Sequence, residues 1–208
     1  MNMVSPKRRY RQGVRAAAAE ATGERIVGAF AAALAERWFD EIRLEDVARE
    51  AGVTVQTVIR RFGTKEGLLA PAAERIGAEV RQRRARAIAS VAAAVAALAK
   101  DYEVSGDLVL RILAQEDRHP ALKAMADTGR AGQRAWLDQA FALWLDRLDA
   151  GARSAALDAL VAVTDVYVWK LYRRDMNRSV GQYRSAVERL AGAAFSSGHQ
   201  LKEPEDDC

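Results

Sequence analysis

Residues 24–69, ERIVGAFAAALAERWFDEIRLEDVAREAGVTVQTVIRRFGTKEGLL, decide how the chain folds. Ile26, Phe30, Ala33, Leu34 and Trp38 recur at i, i+4, i+7, i+8 and i+12, which places them on one face of a first helix that Thr22 is placed to cap. Leu44, Val47, Ala48 and Ala51 make the shorter stripe of a two-turn helix, and Gly52 after it accepts the left-handed backbone of a helix end. Thr54 then opens a third helix, its side chain accepting a hydrogen bond from the N–H of Gln56 or Thr57. Val58 and Phe62 point inward on this helix, leaving Val55, Gln56, Ile59 and Arg60 on the outward face. Gly63 breaks it, and Thr64 caps a fourth helix that begins with Lys65, Glu66, Leu68 and Leu69.

Working outward, the chain has 208 residues, 50% of them hydrophobic, enough for one sizeable core or a small domain attached to a larger one. With 14 Gly, 4 Pro and heavy use of Ala, Leu, Arg and Glu, helix is favoured over sheet, because straight side chains lose little rotamer freedom in a helix. The expected class is all-α: an N-terminal three-helix domain plus a C-terminal helical bundle. The expected divisions are a basic flexible arm over 1–20, the three-helix domain over 21–70, a larger body over 71–197 and a disordered acidic tail over 198–208. In the body, polar joins are expected near Tyr102–Gly106, Arg118–Pro120, Asp149–Arg153 and Asp175–Ser179. Pro71 falls about two turns into the fourth helix, where it is expected to kink or restart it.

Leu157 to Tyr172 is apolar almost all round, so a helix there must be covered on two sides. The last helix offers Tyr183, Val187, Leu190, Ala191, Ala194 and Phe195. Pairing both helices with their copies in a second subunit covers the surplus, so a homodimer through the last two helices is expected.

Charge is placed unevenly. Lys7, Arg8, Arg9, Arg11 and Arg15 make the arm basic, while Glu203, Glu205, Asp206 and Asp207 make the tail acidic; the formal net charge is +4. The single cysteine, Cys208, forms no intramolecular disulfide, which suits the reducing cytoplasm. The longest apolar run, Ala87 to Ala99, is shorter than the roughly 20 residues that span a bilayer. No signal-type apolar stretch follows the basic start, so neither a membrane partner nor export is expected.

Three short helices with a tight turn at Glu50, Ala51, Gly52 and Val53 between the second and third are what a helix-turn-helix requires. The second braces on phosphates; the third enters the major groove, whose base edges carry a distinguishable donor and acceptor code. Gln56, Thr57 and Arg60 suit that reading: Gln pairs with adenine, Arg with guanine, and Val55 or a Thr methyl meets the thymine methyl. Thr64 and Lys65, at a helix N-terminus, combine a cation with free backbone N–H groups and so offer a seat for phosphate, with Arg43 and Arg61 as further contacts.

Through Val47, Ala48, Ala51, Gly52, Val53, Thr57, Phe62, Lys65, Glu66 and Leu69, residues 24–69 resemble the N-terminal domain of the TetR family of bacterial regulators. The resemblance covers about the first third of the chain. It implies a three-helix DNA-reading domain, a long fourth helix leading to a ligand pocket, and a dimer built from the last two helices. It also implies that Thr54, Val55, Gln56 and Thr57 face DNA and that Lys65 touches phosphate. Where the family usually has a phosphate-bonding Tyr this chain has Ile59, and Ile42 and Arg43 stand where a Thr or Ser usually caps the second helix. Trp38 replaces the Gly preferred after the first helix.

The expected partners are thus a double-stranded DNA operator, palindromic because a symmetric pair reads two half-sites, and an unidentified small-molecule effector; repression is the expected outcome. Trp136, Trp144, Asp165, Tyr167 and Trp169 are the candidate effector contacts, since aromatics with one carboxylate suit an apolar or cationic molecule. His119, near Glu116 and Asp117, lacks enough ligands at workable spacing for a metal, and no cofactor is expected. No H-E-x-x-H, Walker loop, G-x-S-x-G or reactive Cys is present, so an enzyme is not expected. The rival reading is a helical protein-interaction module without DNA-binding activity.

Overall fold

The computed structural model of the chain describes residues 6–85 and 89–195, with side chains from residue 16 onward. Among these residues there are helices and no strand: α1 (Pro6–Glu36), α2 (Leu44–Glu50), α3 (Val55–Phe62), α4 (Leu69–Arg84), α5 (Val91–Leu113), α6 (Pro120–Ala140), α7 (Ala142–Leu145), α8 (Ala150–Val163), α9 (Val166–Lys170) and α10 (Val180–Ala193). Short 3-10 turns occupy Phe39–Glu41 and Glu66–Leu68, and a π turn occupies Leu171–Asp175. The all-α architecture is the one that composition and periodicity imply. The side chains of the basic arm, and the acidic tail with His199 and Cys208, lie outside the described residues.

The chain divides into two compact units, one formed by residues up to Ala78 together with Ala114–Met125, the other by Glu79–Leu113 and the residues from Ala126 on. The division expected near residue 70 therefore falls inside α4, and the first unit recruits a segment from far along the chain.

In the first unit α1 runs unbroken from Pro6, so Thr22 is not a cap and residues 6–20 are helical rather than an irregular arm. The Ala-rich stretch favours helix, and Thr22 settles within it by donating its Oγ1–H to the Ala18 carbonyl at 2.8 Å. Ile26, Phe30, Ala33 and Leu34 form the buried stripe as expected. Trp38 does not continue it. The helix ends at Glu36, and the 3-10 turn after it rephases the chain, so Trp38 is 45% exposed and Phe39 is buried instead. Ile42, Val47, Ala48, Ala51, Val58, Leu68, Leu69, Ala72 and Leu122 close this core.

Pro71 is harmless where it stands. The 3-10 turn at Glu66–Leu68 delays α4 to Leu69, so Pro71 sits in the first helical turn, where its missing N–H has no intrahelical partner to lose. The expected kink is accordingly absent: α4 is continuous through to Arg84.

In the second unit α5 passes straight through the join expected at Tyr102–Gly106. Residues of turn type serve close packing there. The Trp169 ring lies so near Gly106 that a Cβ would come within 2.5 Å of it, and Ser105 donates to the Asp101 carbonyl at 3.0 Å. The long apolar helix expected over 157–172 is interrupted: Thr164 ends α8, and the Asp165 carboxylate accepts the Tyr167 N–H at 2.8 Å to start α9. Two clusters make the core. Leu137, Phe141, Leu145, Leu157 and Leu160 anchor one, and Val95, Leu98, Tyr102, Val166, Trp169, Tyr183 and Val187 make up most of the other.

Asp101, 1% exposed, is held by two guanidinium groups: Arg83 Nε donates to its Oδ1 at 2.6 Å and Arg84 Nε to its Oδ2 at 2.8 Å. Arg84 also donates to Gln133 Oε1 at 2.5 Å and lies 4.8 Å over the Trp136 ring. Nearer the surface, Arg173 and the Trp169 indole N–H both donate to Glu103, and Arg174 pairs with Asp107. The Arg173 hydrogen bond, with help from Trp169, holds the Glu103 carboxyl below its ordinary 4.5.

Asp101→Ala strands the buried cation of Arg84 and leaves Arg83 without its carboxylate, and is expected to cost about 3–5 kcal/mol in denaturant unfolding; a decrease under about 1 kcal/mol would show that the pairs carry little weight. Because the folded state depresses the Glu103 carboxyl, its contribution is complete above 4.5 and is lost as pH falls through the lower folded-state value. Glu103→Gln should therefore flatten the acid limb of melting temperature against pH, and an unchanged limb would refute this.

Candidate nucleic-acid interface

The junction between α2 and α3 is made by two helix ends placed back to back. Gly52, at φ 65°, turns the chain so that its N–H reaches the Arg49 carbonyl at 3.2 Å and the Val53 N–H reaches Ala48 at 2.9 Å. These bonds satisfy carbonyls that α2 leaves open, and Arg25 Nε on α1 takes the Ala51 carbonyl at 3.2 Å. One residue later Thr54 caps α3: its Oγ1 accepts the Thr57 N–H at 3.2 Å and stands 2.9 Å from the Thr57 hydroxyl.

Of the eight residues of α3 only Val58 is fully buried. Gln56, Ile59, Arg60 and Arg61 are exposed, and Val55, Thr57 and Phe62 half-buried. No acidic residue stands in the first turn and two arginines stand in the last. Such a helix buries one side chain fully and three in part and leaves four exposed, with the positive end of its dipole unopposed. Gly63, at φ 75°, ends it.

The proposed phosphate contacts are held differently from one another. Arg43 is exposed and caps α2 with its backbone alone. Arg60 makes no hydrogen bond or ion pair among the described residues. Arg61 is engaged at home, donating to the Ala19 carbonyl at 2.6 Å with its guanidinium laid against Gly23. Thr64 does not cap α4; its hydroxyl bonds the Glu66 carboxylate, holding that group below its ordinary pKa. Lys65 Nζ donates to the Phe39 carbonyl at 2.6 Å and lies 4.3 Å from the centre of the Phe39 ring, which leaves two ammonium donors uncommitted to that bond.

Phe39 is the residue that the sequence pattern passes over. Its N–H donates to Gln115 Oε1 at 3.0 Å, and its ring meets His119 edge-on at 5.1 Å, with His119 Nε2 2.9 Å from Asp40 Oδ1. Asp46 ties α2 to the residue that follows α1 by accepting from Arg37 at 3.1 Å, accepts from Arg49 within α2 as well, and is lowered in pKa by these bonds. A 3.6-residue period carried past the end of α1 points to Trp38, but the period no longer applies there.

Of the five effector candidates, Trp136 packs against both core clusters, one of them shared with Trp144 and the other containing Trp169, and Asp165 bonds Tyr167. Trp169 is wholly buried with its N–H on Glu103, Tyr167 is 54% exposed, and Asp165 spends its carboxylate on the α9 cap. Trp144 stacks on Phe195 at 6.1 Å in one core cluster, whereas Trp136 lies under Arg84. Beside Trp136 stands a polar network absent from the candidates that the sequence suggests: Arg84 to Gln133, Gln133 Nε2 to Thr164 Oγ1 at 3.4 Å, and Tyr102 to the Thr164 carbonyl at 3.0 Å. No sequence pattern links residues this far apart. Among the described residues no three His, Cys, Asp or Glu are grouped to hold a metal ion, and no helix is long and apolar enough to cross a membrane.

Residues 26–72 match the family model of bacterial regulatory proteins of the tetR family. No curated protein matches the chain. The chain is similar in structure to a protein from Mesorhizobium loti MAFF303099 classed with the TetR-family transcriptional regulators, at TM-score 0.64 and 19% identity over 86% of this chain and 96% of that one. A second protein of the same class, from Rhodococcus sp., superposes at TM-score 0.63 and 19% identity over 84% and 98%. Residues 26–72 are thus a TetR-type N-terminal domain, carried by a chain whose fold is shared with members of that regulator family.

Proposed function

We propose that the protein is a ligand-responsive transcriptional repressor that binds a palindromic operator as a homodimer. The observation that carries the DNA-binding part is α3, with Val58 its one fully buried residue and Gln56, Ile59 and Arg60 presented outward. In this reading Thr54, Val55, Gln56 and Thr57 meet the major groove with Arg60, and Ile59 supplies an apolar surface for a thymine methyl. Lys65 contacts phosphate with the ammonium donors left over from the Phe39 carbonyl, and Arg43 adds a second contact. Arg61, already bonded to α1, contributes less.

The dimer reading rests on where apolar surface remains. Of nine exposed large hydrophobic side chains among the described residues, five fall within residues 167–190: Tyr167, Leu171, Met176, Val180 and Leu190. Tyr183, Val187 and Ala191, expected at the interface, are instead buried in their own subunit, so of the last helix Val180 and Leu190 carry the contact. An open groove of about 560 Å³ between the π turn and α10, lined by Tyr172, Met176 and Gln182 among others, gives the second copy relief to fill. A small-molecule effector acts by changing the spacing of the two α3 helices, which two half-sites one DNA turn apart hold within narrow limits.

Binding to a duplex selected from a random pool should weaken steeply with salt; Lys65→Ala should weaken binding to all sequences and flatten that dependence, whereas Gln56→Ala should alter sequence preference. A flat salt response in the parent would favour an interaction module. Sedimentation should give a dimer at micromolar concentration and a monomer for Leu190→Glu; a monomeric parent would remove the interface.

A further inference from the structure

We infer that Gln115 and His119 are positioning residues for DNA binding, acting on the phosphate contact of Lys65 through Phe39. This rests on the reading of the first unit as DNA-binding. Phe39 is gripped from two sides. From the segment Ala114–Met125, which belongs to the first unit, Gln115 accepts its N–H at 3.0 Å and His119 abuts its ring at 5.1 Å. From the other side Lys65 uses both the carbonyl of Phe39, at 2.6 Å, and its ring face, at 4.3 Å.

The centre of the arrangement is enclosed. Phe39 is 1% exposed and Gln115 2% exposed, so the hydrogen bond between them is shielded from water, and leaving the Phe39 N–H without it is costly. The three residues of the Phe39–Glu41 turn have no long helix to hold them. Their pose therefore depends on Gln115, on the His119 ring edge-on against Phe39, and on the Glu41 carboxylate that accepts the Trp38 N–H at 3.2 Å. Lys65, by contrast, has a flexible stem of four carbons whose head is aimed only by what it touches. Moving the Phe39 carbonyl moves the acceptor that aims the ammonium.

Gln115 and His119 stand far from the helix-turn-helix in sequence. They precede α6, which begins at Pro120 and extends to Ala140 in the second unit. The segment that sets the pose of Phe39 is thus covalently continuous with the body of the protein through one helix.

The test uses full-length protein and the duplex recovered by selection with the parent. Gln115→Met keeps the size of the side chain and removes the acceptor. It should weaken binding roughly tenfold and make the dependence of log affinity on log salt shallower by about 0.9 for each phosphate no longer neutralised. The same substitution in a Lys65→Ala background should leave affinity unchanged, although it lowers the melting temperature in both backgrounds. His119→Ala should act like Gln115→Met, and His119→Phe, which restores a ring edge against Phe39, should recover most of the affinity. A weakening that is equal with and without Lys65, or parental binding by both Gln115→Met and His119→Ala, overturns the inference. If the parent itself recovers no duplex, the DNA-binding reading fails instead, and this inference falls with it.

Discussion

The opposed ends of α2 and α3 are the constraint on which the first unit depends. A helix leaves carbonyls open at one end and N–H groups open at the other, and here the two deficits meet within four residues. Gly52 in the left-handed region and the Thr54 hydroxyl meet most of them locally, and Arg25 on α1 takes the Ala51 carbonyl. With the turn bonded in this way, α3 needs only Val58 fully buried, with Val55, Thr57 and Phe62 half-buried beside it, to stay attached. So little burial frees the remaining surface of α3 for a partner.

The second unit solves a different problem. Arg83 and Arg84 bring two cations to the end of α4, and Arg84 is nearly enclosed. An enclosed guanidinium is tolerable only with its donors met and its charge answered, and Asp101, Gln133 and the faces of Tyr102 and Trp136 do this together. Replacing such a network with apolar residues often costs nothing in stability, so its presence points to a specific arrangement of α4, α5 and α6 rather than to a stronger core. The Tyr102 hydroxyl, buried and donating to the Thr164 carbonyl, ties the gap between α8 and α9 to the same group, and burial pushes its pKa well up.

Much of the first unit is legible in the sequence because its signals are local. A stripe at helical spacing, a glycine where φ must be positive and a hydroxyl one residue before a helix each act within a few residues. So Ile26, Phe30, Val47, Val58, Gly52, Gly63 and Thr54 all take the places their chemistry demands. Legibility ends where a helix ends. Periodicity points to Trp38 and passes over Phe39 because it has no meaning across a 3-10 turn. Pro71 signals a kink only as long as the turn at Glu66–Leu68, which delays α4 to Leu69, is out of sight. Ser105 and Gly106 have the composition of a join, although both lie within α5, where Gly106 makes room for Trp169.

By itself, then, the sequence determined the helical class, the helix-turn-helix and the outward face of α3, since these follow from backbone hydrogen bonding and from which side of a short helix is apolar. Only the tertiary structure decided that Ala114–Met125 joins the first unit, that Phe39 is held by Gln115 and His119, and that Arg84 meets Gln133. Phe39 and Gln115 lie 76 residues apart in the chain, Arg84 and Gln133 49 apart. A hydrogen bond acts over about 3 Å, so no local pattern encodes which distant partner supplies it; the packing of whole helices brings the two groups within reach.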